Sequence, residues 1–369
     1  MEKNKISYSQ LLFMFICYIQ SFSLLTSFSF AVAGRNNWLA VPIGIVIAVI
    51  FLLIQLSIMK KYPGKSLFQI NESVFGKYVG PCFSVVYLLY FFCLSSLNLR
   101  DVDDFVTFAV LPRTSSMVTS ISFMILCSWA VMKGIRVIMR YSTVVAVLNF
   151  IVFSLSVIFV WDRIDWNNLL PVLSVPPIKV FQSANMIAVI PFGTLAFQMV
   201  IPNCDNQKHL LKCLLSGLLI GGLFFFAVLV RDTAVLGDLV KILMFPTYST
   251  YQIAGFTEIF QGVDVLYALI FIMQYFLKIS FLFYVTVTGI AELLKLNSYK
   301  PLVFVVAVLI ILFARTVYPS AMEHMKSAQE TIPFLWLLFE FLMPLITWIK
   351  IVVSSKSSKR IERKKAEST

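Results

Sequence analysis

An amine stands in the middle of an apolar run, in the string Gln274-Tyr275-Phe276-Leu277-Lys278-Ile279-Ser280. A charge at membrane depth is costly unless it meets a counter-charge or a watery cavity. Lys278 could therefore replace a bound sodium ion or meet a carboxylate, or its long stem could snorkel to the interface. A second concentration of charge is Asn98-Leu99-Arg100-Asp101-Val102-Asp103-Asp104. On a helix Arg100 stands three and four residues from Asp103 and Asp104, so an ion pair with either is open to it. At depth such a pair is a gate; if the helix ends earlier it belongs to the headgroup zone. The third feature is Ile190-Pro191-Phe192-Gly193-Thr194. Proline deletes a backbone donor and glycine relaxes the helix, so amides and carbonyls there can turn toward a ligand. Ser21, Ser23, Thr26, Ser27 and Ser29 supply hydroxyls that can bind a polar ligand, cap a local break or bond between helices.

Motifs of enzymes are absent. There is no G-x-x-x-x-G-K-[ST] and no H-E-x-x-H, and the two histidines, His209 and His324, fall at opposite membrane faces in the topology below. The six cysteines (Cys17, Cys82, Cys93, Cys127, Cys204, Cys213) include no C-x-x-C pair and read as buried thiols. No catalysis, metal or cofactor is expected.

The elements that must position these residues follow from composition. Of 369 residues, 59% are hydrophobic and 13% charged, too little charge to coat a water-soluble surface over that much apolar side chain. Apolar runs fall at 9–32, 38–59, 80–111, 117–132, 142–160, 182–201, 209–230, 264–291, 301–318 and 332–353. The expected fold is an all-α polytopic membrane protein of about ten transmembrane helices in one integral domain. Ten divides into five plus five, and an odd number per half makes any internal repeat inverted, with substrate sites where the first helix of each half is broken. Spans one and six are the places to look. Ala31-Val32-Ala33 imitates a signal-peptidase site, but the run before it is longer than a signal core and is read as the first span.

The net charge of +12 is not a nucleic-acid footprint, because the basic residues sit at the ends of apolar runs. Placing both termini in the cytoplasm puts most of them inside: Lys3, Lys5, Lys60, Lys61, Lys65, Lys77, the 133–140 loop, Lys208, Lys212, Lys295, Lys300 and the tail from Lys350. The tail, with 354–369 beyond the last span, suits contact with anionic lipid or a plain stop-transfer signal. Residues 62–80 read as a short interfacial helix, 161–181 as an outer loop, and 231–263 as the largest outer segment. Gly217 and Gly221 have the spacing for close helix packing.

Several strings together resemble a known family. Asn168-Leu169-Leu170-Pro171-Val172-Leu173 precedes span six, Pro191-Phe192-Gly193 lies within it and Pro202 ends it. Leu67-Phe68, Phe75-Gly76-Lys77 and Gly80 precede span three, Arg100 lies in it, and Phe245-Pro246-Thr247 stands in the outer segment. Their order over about residues 9–350 resembles the B subunits of bacterial spore nutrient-germinant receptors, the spore germination permeases of the amino acid–polyamine–organocation superfamily. The resemblance implies ten helices in the inner membrane of the spore, a small-molecule nutrient germinant (an amino acid or similar) as ligand, and A and C receptor subunits as partners. It implies a pocket among Ser23, Thr26, Tyr90, Leu94, Phe192, Gly193, Thr194, Lys278 and Tyr284, while Arg100, Asp103 and Asp104 stay the gate or ion pair that their spacing suggests. This chain departs from the pattern at Ser21-Phe22-Ser23, where relatives tend to carry glycine, at Thr194, where an acid is frequent, and at Gln261-Gly262-Val263-Asp264, where an arginine is expected. The expected function is germinant sensing; the rival is a self-sufficient secondary amino-acid transporter.

Overall fold

The computed structural model describes residues 5–204, 209–254 and 262–366, with 355–366 described as backbone only. Lys3, Lys208, Gln261 and the tail side chains beyond Ser354 lie outside the described residues. The regular elements described are helices, joined by one isolated parallel bridge between Ile6 and Cys204.

Local chemistry sets the helix starts. Ser7 and Gln10 form a capping box that opens α1 (Tyr8–Phe22), and Ser66 with Gln69 does the same for α4 (Leu67–Phe105). Between them lie α2 (Ser27–Ala33) and α3 (Asn37–Lys61), separated by a turn at Gly34. Within α4 the chain bends at Gly76, whose φ is +85°. Residues 67–75 form the short helix expected at the membrane face, and the remainder is span three, continued by a π turn at Val106–Val110. Next come α5 (Ser116–Lys133), α6 (Ile135–Phe159), α7 (Pro177–Val189) and α8 (Leu210–Leu236). The order ends with α9 (Pro246–Ala254), α10 (Val263–Leu293), α11 (Leu302–Thr316), α12 (Ala321–Glu330), α13 (Ile332–Leu337) and α14 (Met343–Ala366).

Among the described residues, seven helical stretches are each long and apolar enough to cross a membrane, and an eighth appears when α11 and α12, bent by 91°, are taken together. The two apolar runs missing from that set are spans one and six, the ones interrupted at their centres. Span one breaks between α1 and α2 at residues 23–26; span six breaks after α7 at 190–194 and resumes as short 3-10 turns, Leu195–Met199 and Ile201–Asn203. Three boundaries move. Span six begins at Pro177, where proline suits a helix start. Span seven continues to Leu236, so Arg231 and Asp232 are helical residues rather than part of an outer loop. The stretch after span nine folds as α12, with Ser320 capping it through the Glu323 amide at 3.2 Å.

α10 is the axis of the bundle, packed along α4, α6, α5 and α1, while α3 lies along α7 and α8. Large apolar side chains such as Val46, Ile125, Phe304 and Leu223 face outward, as hydrocarbon surroundings permit. Gly217 and Gly221 let α8 lie against Phe15 and Ile19 of α1; added Cβ atoms would stand 2.8 and 2.9 Å from those side chains. At Gly80 the obstacle is backbone, since a Cβ would sit 2.5 Å from Glu72 Cα. Gly80→Ala should therefore destabilise the purified protein by about 1–3 kcal/mol, read as a lower midpoint of thermal unfolding in detergent.

Candidate ligand site at the broken helices

The two breaks satisfy their backbone groups differently. In span one the hydroxyls turn back on their own helix: Ser21 donates to the Tyr18 carbonyl (2.7 Å), Ser23 to Gln20 (2.6 Å) and Ser29 to Thr26 (2.9 Å). Neighbouring helices then hold the opened turn. Tyr267 of α10 donates to the Leu24 carbonyl, and the Thr247 hydroxyl of α9 lies 3.2 Å from the Ser23 carbonyl and 3.1 Å from the Thr26 hydroxyl. Thr247 is itself tied to Asp232 at 2.6 Å. Asp232 pairs with Arg231 at 2.5 Å, and that guanidinium lies over Tyr251, 4.9 Å from its ring centroid. Thr26 and Ser23 thus belong to a buried network anchored on an ion pair at the end of α8.

In span six the partner comes from far along the chain. Glu340, buried in the π turn Leu338–Leu342 of the last span, accepts from the Thr194 amide at 3.0 Å and the Leu195 amide at 3.2 Å through one carboxylate oxygen. Its other oxygen accepts from the Tyr90 hydroxyl at 2.8 Å. Gln55 of α3 donates to Glu340 at 3.3 Å and accepts from the Thr194 hydroxyl at 2.6 Å. Gly193 is required by this approach, because a Cβ there would stand 2.8 Å from the Glu340 carboxylate. A protein carboxylate thereby occupies the amides that a broken helix would otherwise turn toward an anionic ligand.

A cavity opens between the breaks. Phe22, Leu25 and Ser27 line it from span one, Ile190 from span six, and Leu94, Asn98 and Asp101 from α4. His324 of α12 and Trp336 of α13 complete the wall. Asp104, also in the lining, pairs with Arg100 at 2.8 Å, and Arg100 reaches the Tyr318 carbonyl at 3.3 Å. His324 approaches Asp104 at 3.3 Å and Asp101 at 3.9 Å. Asp103 turns away and accepts from the Ser120 hydroxyl of α5.

Lys278 is fully buried and does not snorkel: its amine stands 2.8 Å from the Phe22 ring centroid and 4.9 Å from that of Tyr18. It has no hydrogen-bond partner among the described residues. Phe22 both touches this amine and lines the cavity. A second cavity lies at the other end of the bundle, lined by Tyr284, Thr288, Glu292, Met199 and Lys300. Tyr18, Phe197 and Phe281 pack together with ring centroids 4.6–6.2 Å apart. On span six and α10 these rings fall, in chain order, between residues near the first cavity and those lining the second.

The expected pocket residues are therefore distributed. Leu94 lines the first cavity; Tyr90, Gly193 and Thr194 surround Glu340; Ser23 and Thr26 belong to the Asp232 network; Tyr284 belongs to the second cavity. Phe192 is buried against Phe225 of α8, 5.9 Å between centroids.

A family model described as "Spore germination protein" matches residues 5–321. The chain belongs to the spore germination protein family. Over the whole of its length it is 29% identical to spore germination protein KB of Bacillus subtilis (strain 168), 99% of which is covered. Its backbone is similar to that of MhsT in complex with L-phenylalanine, with a TM-score of 0.63 at 13% identity over 95% of this chain and 99% of that one. It is also similar to Mhp1, a nucleobase-cation-symport-1 family transporter with bromovinylhydantoin bound, at a TM-score of 0.57 and 11% identity over 92% and 79%. The shared fold is the ten-helix, five-plus-five inverted repeat of these transporters.

Sequence reasoning missed Glu340, His324, Asn98 and the Arg231–Asp232 pair in this germination permease. Glu340 carried a signal, being the sole acid in the apolar run 332–353. His324 sits on a helix whose Ser320-x-x-Glu323 start is a capping signature. Glu340→Leu should strand the Thr194 and Leu195 amides and the Tyr90 hydroxyl at about 1–3 kcal/mol each, a large loss of thermal stability. Lys278→Met should do the reverse, raising the unfolding midpoint, because it replaces an unpaired buried amine by an apolar chain of similar shape.

Proposed function

We propose that this chain is the membrane subunit of a nutrient germinant receptor: it binds a small nutrient in the cavity between the two breaks and so triggers spore germination. The observation that carries this reading is the cavity wall itself, which draws on both broken spans, α4, α12 and α13. A ligand there bears on the places where the backbone is least tied into helix, so it favours one arrangement of the bundle over another. That bias is then read by A and C receptor subunits as a coupling free energy. Membership of the spore germination family supplies the setting, and L-phenylalanine in MhsT supports an amino acid or similar nutrient as the ligand class. The chain acts without catalysis, in the inner membrane of the spore. Both termini face the core, and the basic tail lies near anionic lipid. Among the sequence candidates, Arg100 and Asp104 serve as the outer gate with His324, and Lys278 lies under the pocket floor formed by Phe22.

Secondary amino-acid transport is the second reading, favoured by one observation: a second cavity at the opposite end, with the Tyr18–Phe197–Phe281 rings between the two. Spores lacking the gene, offered a panel of amino acids, sugars and nucleosides, should lose the fall in optical density for one nutrient class. Leu97 also lines the cavity, and spores carrying Leu97→Trp, which puts an indole into that space, should lose it for the same class. A normal response from Leu97→Trp spores would remove the cavity from the proposal. Sustained uptake of that nutrient by the purified chain alone in proteoliposomes would replace the receptor by the transporter.

A further inference from the structure

We propose that the ligand is held in this cavity by a hydrogen-bond-donating ammonium group, received by the Asp101 carboxylate and the Asn98 side-chain carbonyl, with no ligand carboxylate received at the break of span six. The proposal rests on the reading of the cavity as the ligand site.

Asn98 is 3% exposed, lines the cavity, and donates its amide nitrogen to the Leu94 carbonyl at 2.6 Å. Only the nitrogen can face a carbonyl, so the side-chain oxygen must be the other atom. That oxygen is buried with no hydrogen-bond partner among the described residues. A dry acceptor is uncommon in a native structure and calls for a donor.

One helical turn further along α4 stands Asp101, whose contacts are weak. The Tyr275 hydroxyl lies 3.5 Å from one oxygen and the His324 ring 3.9 Å from the other. The cations nearby are committed elsewhere. Arg100 is spent on Asp104 and on the Ala314 and Tyr318 carbonyls, and the Lys278 amine, though its charge would bear on Asp101, packs against the Phe22 ring and makes no hydrogen bond to that carboxylate. Of the two carboxylates in the lining, Asp104 is held by the Arg100 guanidinium at 2.8 Å, whereas Asp101 has no cation in direct hydrogen-bond contact, only His324 at 3.9 Å and the more distant Lys278. A positively charged donor satisfies both Asp101 and Asn98, and charge-assisted hydrogen bonds of this kind are the strong ones.

An anionic group finds the opposite. Asp101 and Asp104 both line the wall and repel it, while the Thr194 and Leu195 amides already bind Glu340. The rest of the lining, including Phe28, Leu94, Ile190 and Trp336, accepts a hydrocarbon or aromatic body. The ligand class is a small amine with an apolar body, to which a carboxylate is an addition rather than a requirement.

The test uses the full-length chain in phosphatidylcholine nanodiscs and three probes of one shape: 2-phenylethylamine, L-phenylalanine and 3-phenylpropionate. The amine should raise the midpoint of thermal unfolding, and 3-phenylpropionate should not. Asp101→Asn should weaken the amine by about tenfold or more, and Asp101→Glu should restore most of it. Stabilisation by 3-phenylpropionate, or by L-phenylalanine with none from 2-phenylethylamine, would overturn the proposal, as would equal affinity in Asp101→Asn. These results leave the cavity itself standing, because the Leu97→Trp response in spores is read independently of which group of the ligand is recognised.

Discussion

Where span six stops being a helix, the backbone N–H groups of Thr194 and Leu195 both point at one carboxylate oxygen of Glu340. In the interior of a membrane bundle no solvent is available to take such groups, so a break can exist only where protein supplies the partners. Glu340 does this from the last span, with Tyr90 and Gln55 satisfying the remainder of the carboxylate. Four helical segments distant in sequence meet at one side chain. Gly193 is the residue that leaves room for it, and the path of span six past the cavity depends on that contact.

The break in span one rests on a different device. Its serines close on their own carbonyls, and longer-range support arrives through hydroxyls, from Tyr267 and Thr247, backed by the buried Arg231–Asp232 pair. The pair also has an aromatic lid, since the guanidinium lies over Tyr251 and Phe153. The two breaks therefore offer different chemistry to the space between them. One is sealed by a protein anion and the other by neutral hydroxyls, which leaves α4 to supply the free polar groups. Tyr90, Asn98 and Asp101 lie on that one helix, so the contact that seals span six and the acceptors that line the cavity move together. A shift of α4 by a ligand would be felt at Glu340, which is the physical meaning of coupling between a site and the rest of a bundle.

The backbone fold shared with MhsT encloses an unusual amine in this chain. Lys278 is an amine with no hydrogen-bond partner among the described residues, surrounded by the rings of Phe22, Tyr18 and Tyr275. Aromatic faces attract a cation but replace its hydration only in part.

Much of the architecture was legible in the sequence because it follows from solvent. Apolar run length, the small share of charge and the odd number of spans per half determined a ten-segment membrane bundle. Pro191 with Gly193 marked the span-six break, since proline and glycine act locally on the backbone. The span-one break lacked that signal: Ser21, Ser23 and Thr26 serve equally well in a continuous helix, and only contacts from Thr247 and Tyr267 decide between the two. The same holds for the choice of Asp104 over Asp103 as partner of Arg100, which turns on Ser120 standing beside Asp103. Glu340 and His324 were visible as isolated polar residues, but not their destinations, because a hydrogen bond between residues 146 or 220 positions apart leaves no mark in local spacing. What the sequence determined by itself was which segments enter the membrane. Tertiary structure alone decided which polar groups meet there, that the Asn98 oxygen has no partner among the described residues and that Asp101 is only weakly held, because that depends on the packing of helices far apart in the chain.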